Sequence, residues 1–152
     1  CMKRTLGVVL MAFCLAAAGK EPSLVSDDEF ALGGIGLGES EPKVRATLGP
    51  PDRRTDTGDF LNIQMDYPGL TVWLGEGGRV GELLSTSPQH CTPGGICPGM
   101  PLAKIVAKFG PPIAADRDEG FFMEYPGAQS PCWLQLAVHD GVIASVRAEC
   151  QP

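Results

Sequence analysis

Histidine is nearly missing from this chain. His90 and His139 are the two present in 152 residues; one falls in a Ser/Thr/Pro/Gly-rich stretch and the other at a hairpin turn. Polar neighbours in turns are the ordinary surroundings of such residues, so no histidine-centred general base is expected. The recognised catalytic signatures are missing too. There is no Gly-x-Ser-x-Gly, P-loop or His-Glu-x-x-His, and Gly34-Ile35-Gly36-Leu37-Gly38 lacks the third-glycine spacing and preceding strand of a dinucleotide fingerprint. Basic residues are in short supply, 12 Lys and Arg against 18 Asp and Glu for a net charge of −6. That balance argues against nucleic acid or an anionic membrane as partner and mildly favours a basic protein. The acidic group Asp116, Asp118 and Glu119 lacks the spacing of a calcium loop and reads as a solvated turn. These absences point away from an enzyme, and neither cofactor nor metal is expected.

What is present begins with an export signal. Met2-Lys3-Arg4 followed by the apolar stretch Thr5 to Ala18 has a basic head and a span too short to cross a bilayer, with Ala16-Ala17-Ala18 as small residues for cleavage before Gly19. Residues 1–18 are therefore read as a signal peptide. Cys14 follows a short apolar stretch, as in bacterial lipoproteins, but the bulky Phe13 before it is wrong for that signal; lipidation at Cys14 is the alternative, and the sole route to a membrane. The chain is expected to be periplasmic or extracellular, or outer-membrane anchored if Cys14 is lipidated. Residues 19–32, polar around Asp27-Asp28-Glu29, read as an N-terminal arm or linker.

Four cysteines lie beyond the leader, Cys91, Cys97, Cys132 and Cys150, an even count that implies disulfides with three possible connectivities. The strand pattern favours one. Leu134, Leu136 and Val138 alternate in phase with Cys132, and Val142, Ala144, Val146 and Ala148 share the phase of Cys150 across a turn at Asp140-Gly141. Cys132 then faces Cys150, leaving Cys91 and Cys97 to close a short loop. A zinc site using His90 and these thiolates is disfavoured, because Cys91-x5-Cys97 is wider than the usual ligand spacing.

The chain also repeats itself. Ile35-Gly36-Leu37-Gly38 through Val44 and Leu48-Gly49-Pro50-Pro51 returns as Ile96-Cys97-Pro98-Gly99 through Ile105 and Phe109-Gly110-Pro111-Pro112, and each copy runs on to a Tyr-Pro-Gly, at Tyr67 and Tyr125. Such self-similarity suggests a duplicated unit, here repeat 1 over 33–90 and repeat 2 over 91–152. In each, a short helix, capped at Ser40 or Glu39 with Val44 and Leu48 inward, or carrying Leu102, Ile105, Val106 and Phe109, is stopped by Gly-Pro-Pro. Strands with period two follow. Leu61, Ile63, Met65 and Tyr67 point inward from 60–67; Leu70, Val72 and Leu74 continue that phase, and 79–85 returns. Phe121, Met123 and Tyr125 do the same in the second copy. The expected fold class is α+β, two tandem helix-plus-antiparallel-sheet repeats joined into one compact unit. Each would have about three or four strands.

The opposite phase carries Phe60, Trp73, Phe122 and Trp133 among polar neighbours. Large aromatic residues on a sheet face turned from the helices fit a protein interface, or a face covered by the arm, a loop or a second subunit. A register slip of one residue would invert the assignment.

The segments LGESEPKVRATLGPPDRR and YPGLTVWLGEGGRV resemble the SmpA/OmlA (BamE) envelope lipoproteins, with a helix ending in Leu-Gly-x-Pro and a hairpin Gly before Val. Two such units in tandem with two disulfides look more like the β-lactamase inhibitor proteins (BLIP). The resemblance covers residues 33–150. It implies non-catalytic protein binding through an open sheet face, by Phe60, Trp73, Phe122 and Trp133 with Asp66 and Glu124 beside them. The expected function is a non-enzymatic exported protein-binding module, inhibitor-like in character, with an envelope-assembly lipoprotein as the alternative. The partner would be another protein, an enzyme or an envelope component.

Overall fold

The structure, a computed structural model, describes residues 21–151; the expected signal peptide, Cys14 and Cys1 lie outside the described residues. A 3-10 turn at Asp27–Glu29 leads into the small hairpin β1 (Ala31–Leu32) and β2 (Ile35–Gly36), then α1 (Glu41–Leu48). Four strands follow: β3 (Arg53–Asp56), β4 (Ile63–Tyr67), β5 (Leu70–Leu74) and β6 (Val80–Ser85). After a disulfide-closed loop come α2 (Leu102–Phe109), β7 (Ile113–Arg117), β8 (Gly120–Pro126), β9 (Cys132–His139) and β10 (Val142–Cys150).

The expectation of two tandem helix-plus-sheet repeats is corrected by the topology. The strands β3 to β10 form one continuous eight-stranded antiparallel sheet in the order β3-β4-β5-β6-β10-β9-β8-β7. β6 and β10 hydrogen-bond to each other, with Glu82 opposite Glu149 and Ser85 opposite Val146, so the two halves of the chain share a sheet instead of each closing its own. They also share a core. Val44 of α1 and Ile105 of α2 belong to a single buried cluster with Met65, Val72, Leu83, Leu134, Leu136 and Val146. Neither eight-residue helix could stand alone; each is held by the one apolar side it presents to that cluster.

What recurs along the chain is a local device. Both helices end at a glycine with positive φ, Gly49 at 81° and Gly110 at 89°, whose N–H bonds back into the last turn. The carbonyls of these glycines accept hydrogen bonds from Tyr67 Oη at 2.9 Å and Tyr125 Oη at 2.7 Å. The repeated Gly-Pro-Pro and Tyr-Pro-Gly segments are thus the two ends of a tie between helix and sheet.

Three further expectations change. Residues 19–32 are no loose arm across their described part. Val25, Phe30 and Leu32 are buried, and Val25 bridges β8 and the segment after it, donating to Pro126 O and accepting from Ala128 N, each at 2.9 Å. The expected strand 60–67 begins at Ile63, because Thr57 binds Leu61 O through its hydroxyl at 2.6 Å and Asn62 O through its N–H at 2.9 Å, closing a loop that lifts Phe60 outward. On β10 a bulge between Ile143 and Ser145 shifts the phase, so that Ile143 is buried while Val142 and Ala144 are exposed.

The cysteine pairing is Cys91–Cys97 and Cys132–Cys150, with Cys132 directly opposite Cys150 in the β9–β10 ladder. The turn between those strands has positive φ at both Asp140 (50°) and Gly141 (74°), as a two-residue hairpin of right-handed twist requires.

Candidate functional site

Side chains of one phase fill the core, so the alternate phase of every strand forms the other face of the sheet. Two cross-strand rows run over it. One passes Gln64, Trp73, Glu82, Glu149, Trp133 and Pro126; the next passes Asp66, Thr71, Leu84, Arg147, Gln135 and Glu124. Phe122 stands beside them, opposite Ala137. The strand phase expected from sequence therefore gathers Trp73, Trp133, Phe122, Asp66 and Glu124 on this one face. Phe60 is not on a strand; it is 70 % exposed in the 57–62 loop, where it walls a hollow of about 480 Å³ with Gln64 and Trp73.

Each aromatic ring is held by polar neighbours. Trp73 Nε1 donates to Gln64 Oε1 at 3.2 Å, and Trp133 Nε1 donates to Glu149 Oε1 at 3.0 Å. The Arg147 guanidinium lies 5.5 Å from the centre of the Trp73 ring and pairs with Glu82. Gln64 also donates to Asp66, which accepts from Arg53 Nε at 3.2 Å. These hydrogen bonds restrict the rotamers open to both indoles.

Glu124 plays a different part from the one its phase suggested. It is 4 % exposed, gripped by both arms of Arg117 and by Gln135 Nε2 at 2.8 Å. Burial pushes its carboxyl upward, but the hydrogen bonds from Arg117 and Gln135 outweigh burial and hold it below the ordinary carboxylate range. Glu149 behaves oppositely. Burial raises it above the ordinary range, and Arg147 and the Trp133 N–H offset that only in part. Burial likewise lowers Arg147, against the opposing charge of Glu149.

Between these groups lies a hollow of about 190 Å³ lined by Glu82, Glu119, Phe122, Gln135, Arg147 and Glu149. The sequence reading singled out Phe122 alone of these as a binding residue. The missing signal was available: Glu82, Arg147 and Glu149 share the outward phase of Trp73 and Trp133, once β6 and β10 are recognised as neighbours. Glu119 reaches the hollow from the β7–β8 turn, which no alternation rule covers.

Two disulfides among the described residues belong to an oxidising compartment, so the chain is an exported protein. No family model and no curated protein matches it. Solved structures are similar at the level of fold. An extracellular protein containing a SCP domain from Bacillus anthracis matches with a TM-score of 0.55 and 13 % identity over 76 % of this chain and 44 % of its own. A cysteine-rich secretory protein from Staphylococcus aureus matches with a TM-score of 0.53 and 10 % identity over 86 % of this chain and 50 % of its own. A DUF4309 family protein from Bacillus subtilis has a TM-score of 0.49 at 14 % identity, over 78 % of this chain and 83 % of its own. The chain thus spans half or less of the length of the first two. Neither of the two with TM-scores above 0.5 is a β-lactamase inhibitor protein or an SmpA/OmlA lipoprotein, and the family resemblance read from sequence gains no support.

Proposed function

We propose that this chain is a non-enzymatic, exported protein-binding module that engages its partner, in the periplasm or outside the cell, with the face of the sheet turned from the helices. The observation that carries the reading is the pair Trp73 and Trp133, fixed by hydrogen bonds at their indole nitrogens on a face where the carboxylates Asp66, Glu82, Glu124 and Glu149 stand among the guanidinium groups of Arg53, Arg117 and Arg147. Rigid aromatic anchors set among polar groups are what protein interfaces use to convert contact into affinity. Carboxylates outnumber guanidinium groups on the face, which suits a partner presenting basic residues.

The test is co-purification from envelope extract with wild-type protein and with a Trp73→Ala/Trp133→Ala variant, each captured protein then being re-measured with purified components. Each substitution is expected to cost about 2 kcal/mol or more of binding. Melting temperature should stay close to wild type, since neither indole is part of the core cluster. Undiminished binding by the double variant, or a loss of folding stability that matches the loss of affinity, would refute the proposal.

A further inference from the structure

We propose that the free edge of β7 takes up an extended segment of the partner as an added antiparallel strand, with a basic residue of that segment lying opposite Asp116. The inference rests on the reading of the open face as a binding surface, which this edge borders, and specifies how the partner's backbone joins it.

The sheet ends at β3 on one side and at β7 on the other, and the two edges differ. β3 carries Arg53, Arg54 and Asp56, with the arginines paired to Asp66 and Glu41. Charged side chains along an edge deter a further strand. β7 instead begins Ile113-Ala114-Ala115. Large apolar side chains stand exposed on both sides of it, Ile113 on the open face and Phe121 of β8, in phase with Met123 and Tyr125, on the helix side.

The outer backbone groups of β7 are unpaired. Gly127 N donates to Cys132 O, so by alternation Glu124, Phe122 and Gly120 turn their N–H and C=O groups toward β7. Those groups pair with Ile113, Ala115 and Arg117, which leaves the N–H and C=O of Ala114 and Asp116 pointing away from the sheet. Among the described residues no strand or bridge partner covers them. Alternating donors and acceptors on a bare edge are what an added strand pairs with.

Side chains select the occupant. Residues of the added strand opposite Ile113 and Ala115 fall on the open face, beside a hollow of about 150 Å³ that Ile113 shares with Pro126 and Trp133. That space is well below a small-molecule pocket and suits one aliphatic side chain. The residue opposite Asp116 meets a carboxylate that has no cation within ion-pair distance among the described residues, with Asp118 and Glu119 following in the turn. A lysine or arginine there makes a cross-strand pair of opposite charge. A second copy of this chain fits less well. Paired antiparallel about Ala115, it would set Pro112, which has no N–H, opposite Asp118, and would join two chains each of net charge −6.

The probe is the capped peptide Lys-Thr-Lys-Val-Thr-Val-Thr, titrated into the folded, disulfide-bonded protein and followed by 1H–15N NMR. Saturable shifts are expected, largest at the amides of Ala114 and Asp116. Methylating the backbone nitrogens of the third and fifth peptide residues, which face the edge in this register, should weaken binding at least about tenfold. Methylating the fourth and sixth, which face away, should leave it within about twofold. Replacing both peptide lysines by glutamate should weaken binding about fivefold or more. Ala114→Pro removes one outward donor without touching the β8 ladder and should weaken the probe about tenfold; if that variant does not fold, the two methylated peptides decide. Absent shifts, equal binding by the two methylated peptides, equal binding by the glutamate peptide, or unchanged affinity in folded Ala114→Pro would each overturn the assignment. So would a concentration-dependent dimer in sedimentation velocity that Ala114→Pro abolishes, since the edge would then belong to a second copy. Failure of the probe with Trp-dependent partner capture intact removes the added strand and leaves the broader function standing. A bound probe with no Trp-dependent partner removes the reading on which the inference rests.

Discussion

The two tyrosine–glycine ties allow one hydrogen bond to be weighed against its counterpart in the same molecule. Tyr125 is fully buried, and burial pushes its phenol up to about 12. Tyr67 is half-buried, and its phenol is also raised, again chiefly by burial. Both donate to the carbonyl of a helix-ending glycine, at 2.7 and 2.9 Å. Replacing Tyr125 by Phe keeps the ring, including its tilted contact with Phe109 at 6.3 Å between centroids, and deletes the donor alone. The Gly110 carbonyl then loses its partner in a place water reaches poorly, a cost of about 1–3 kcal/mol. In Tyr67→Phe, water can take the place of the hydroxyl, and the cost falls to about 0.5–1 kcal/mol. Urea unfolding monitored by circular dichroism reads both, and the slope with denaturant should match wild type so that midpoints compare directly. The expected order of loss is Tyr125→Phe above Tyr67→Phe. Equal losses, or the reverse order, would mean that burial is not what sets the strength of these ties.

Two more outcomes follow from the same coordinates. Opening Cys132–Cys150 by double Ala substitution should cost about 3 kcal/mol and opening Cys91–Cys97 about 2 kcal/mol, because sequence separations of 18 and 6 set the loop-closure entropy; thermal unfolding of the two variants should rank them in that order. Stability against pH should separate Glu149 from Glu124. Glu149 is raised in the fold, so its favourable contribution is present in acid and is lost as pH rises through its folded value. Glu149→Gln should therefore gain on wild type in moving from roughly pH 4 to 7. Glu124 is lowered, so its contribution is present above the unfolded value and lost as pH falls, and Glu124→Gln should be most destabilising near neutrality. A flat wild-type-minus-variant difference in either case would contradict the assigned environments.

Much of this architecture is written in short-range pattern. Both helix ends follow from Gly49-Pro50-Pro51 and Gly110-Pro111-Pro112, and alternation in Leu70–Leu74 and Cys132–Leu136 correctly divides core from open face. Opposition of Cys132 and Cys150 follows from counting outward from Asp140-Gly141, although the bulge at Ala144 makes Val142 and Ala144 exceptions to the count. What local pattern cannot convey is pairing at a distance. Nothing in Val80–Ser85 or Val142–Cys150 names the other as its neighbour, and without that pairing two sheets look as reasonable as one. The edge strands are hidden for another reason: Arg53–Asp56 is exposed along its whole length and so has no alternation to read. Val25 escapes notice because it lies five positions from Phe30, neither a helical nor a strand step, and Phe30 and Leu32 because a single two-residue step is too short a run to read, yet each is buried. The hollow lined by Glu82, Arg147, Gln135 and Glu119 is only half legible, because strand phase turns the first three outward but the pairing of β6 with β10 is what brings them together.

That meeting of β6 with β10 makes each portion of the polypeptide a template for the other. Severing the backbone within 86–90 would leave two fragments whose central strands each lack a neighbour and whose apolar sides each lack half their cover. Neither fragment should fold alone, and the two should recombine on mixing. A protein reassembled in that way would recover the tryptophan-bearing face only when both pieces are present, since Trp73 comes from one and Trp133 from the other.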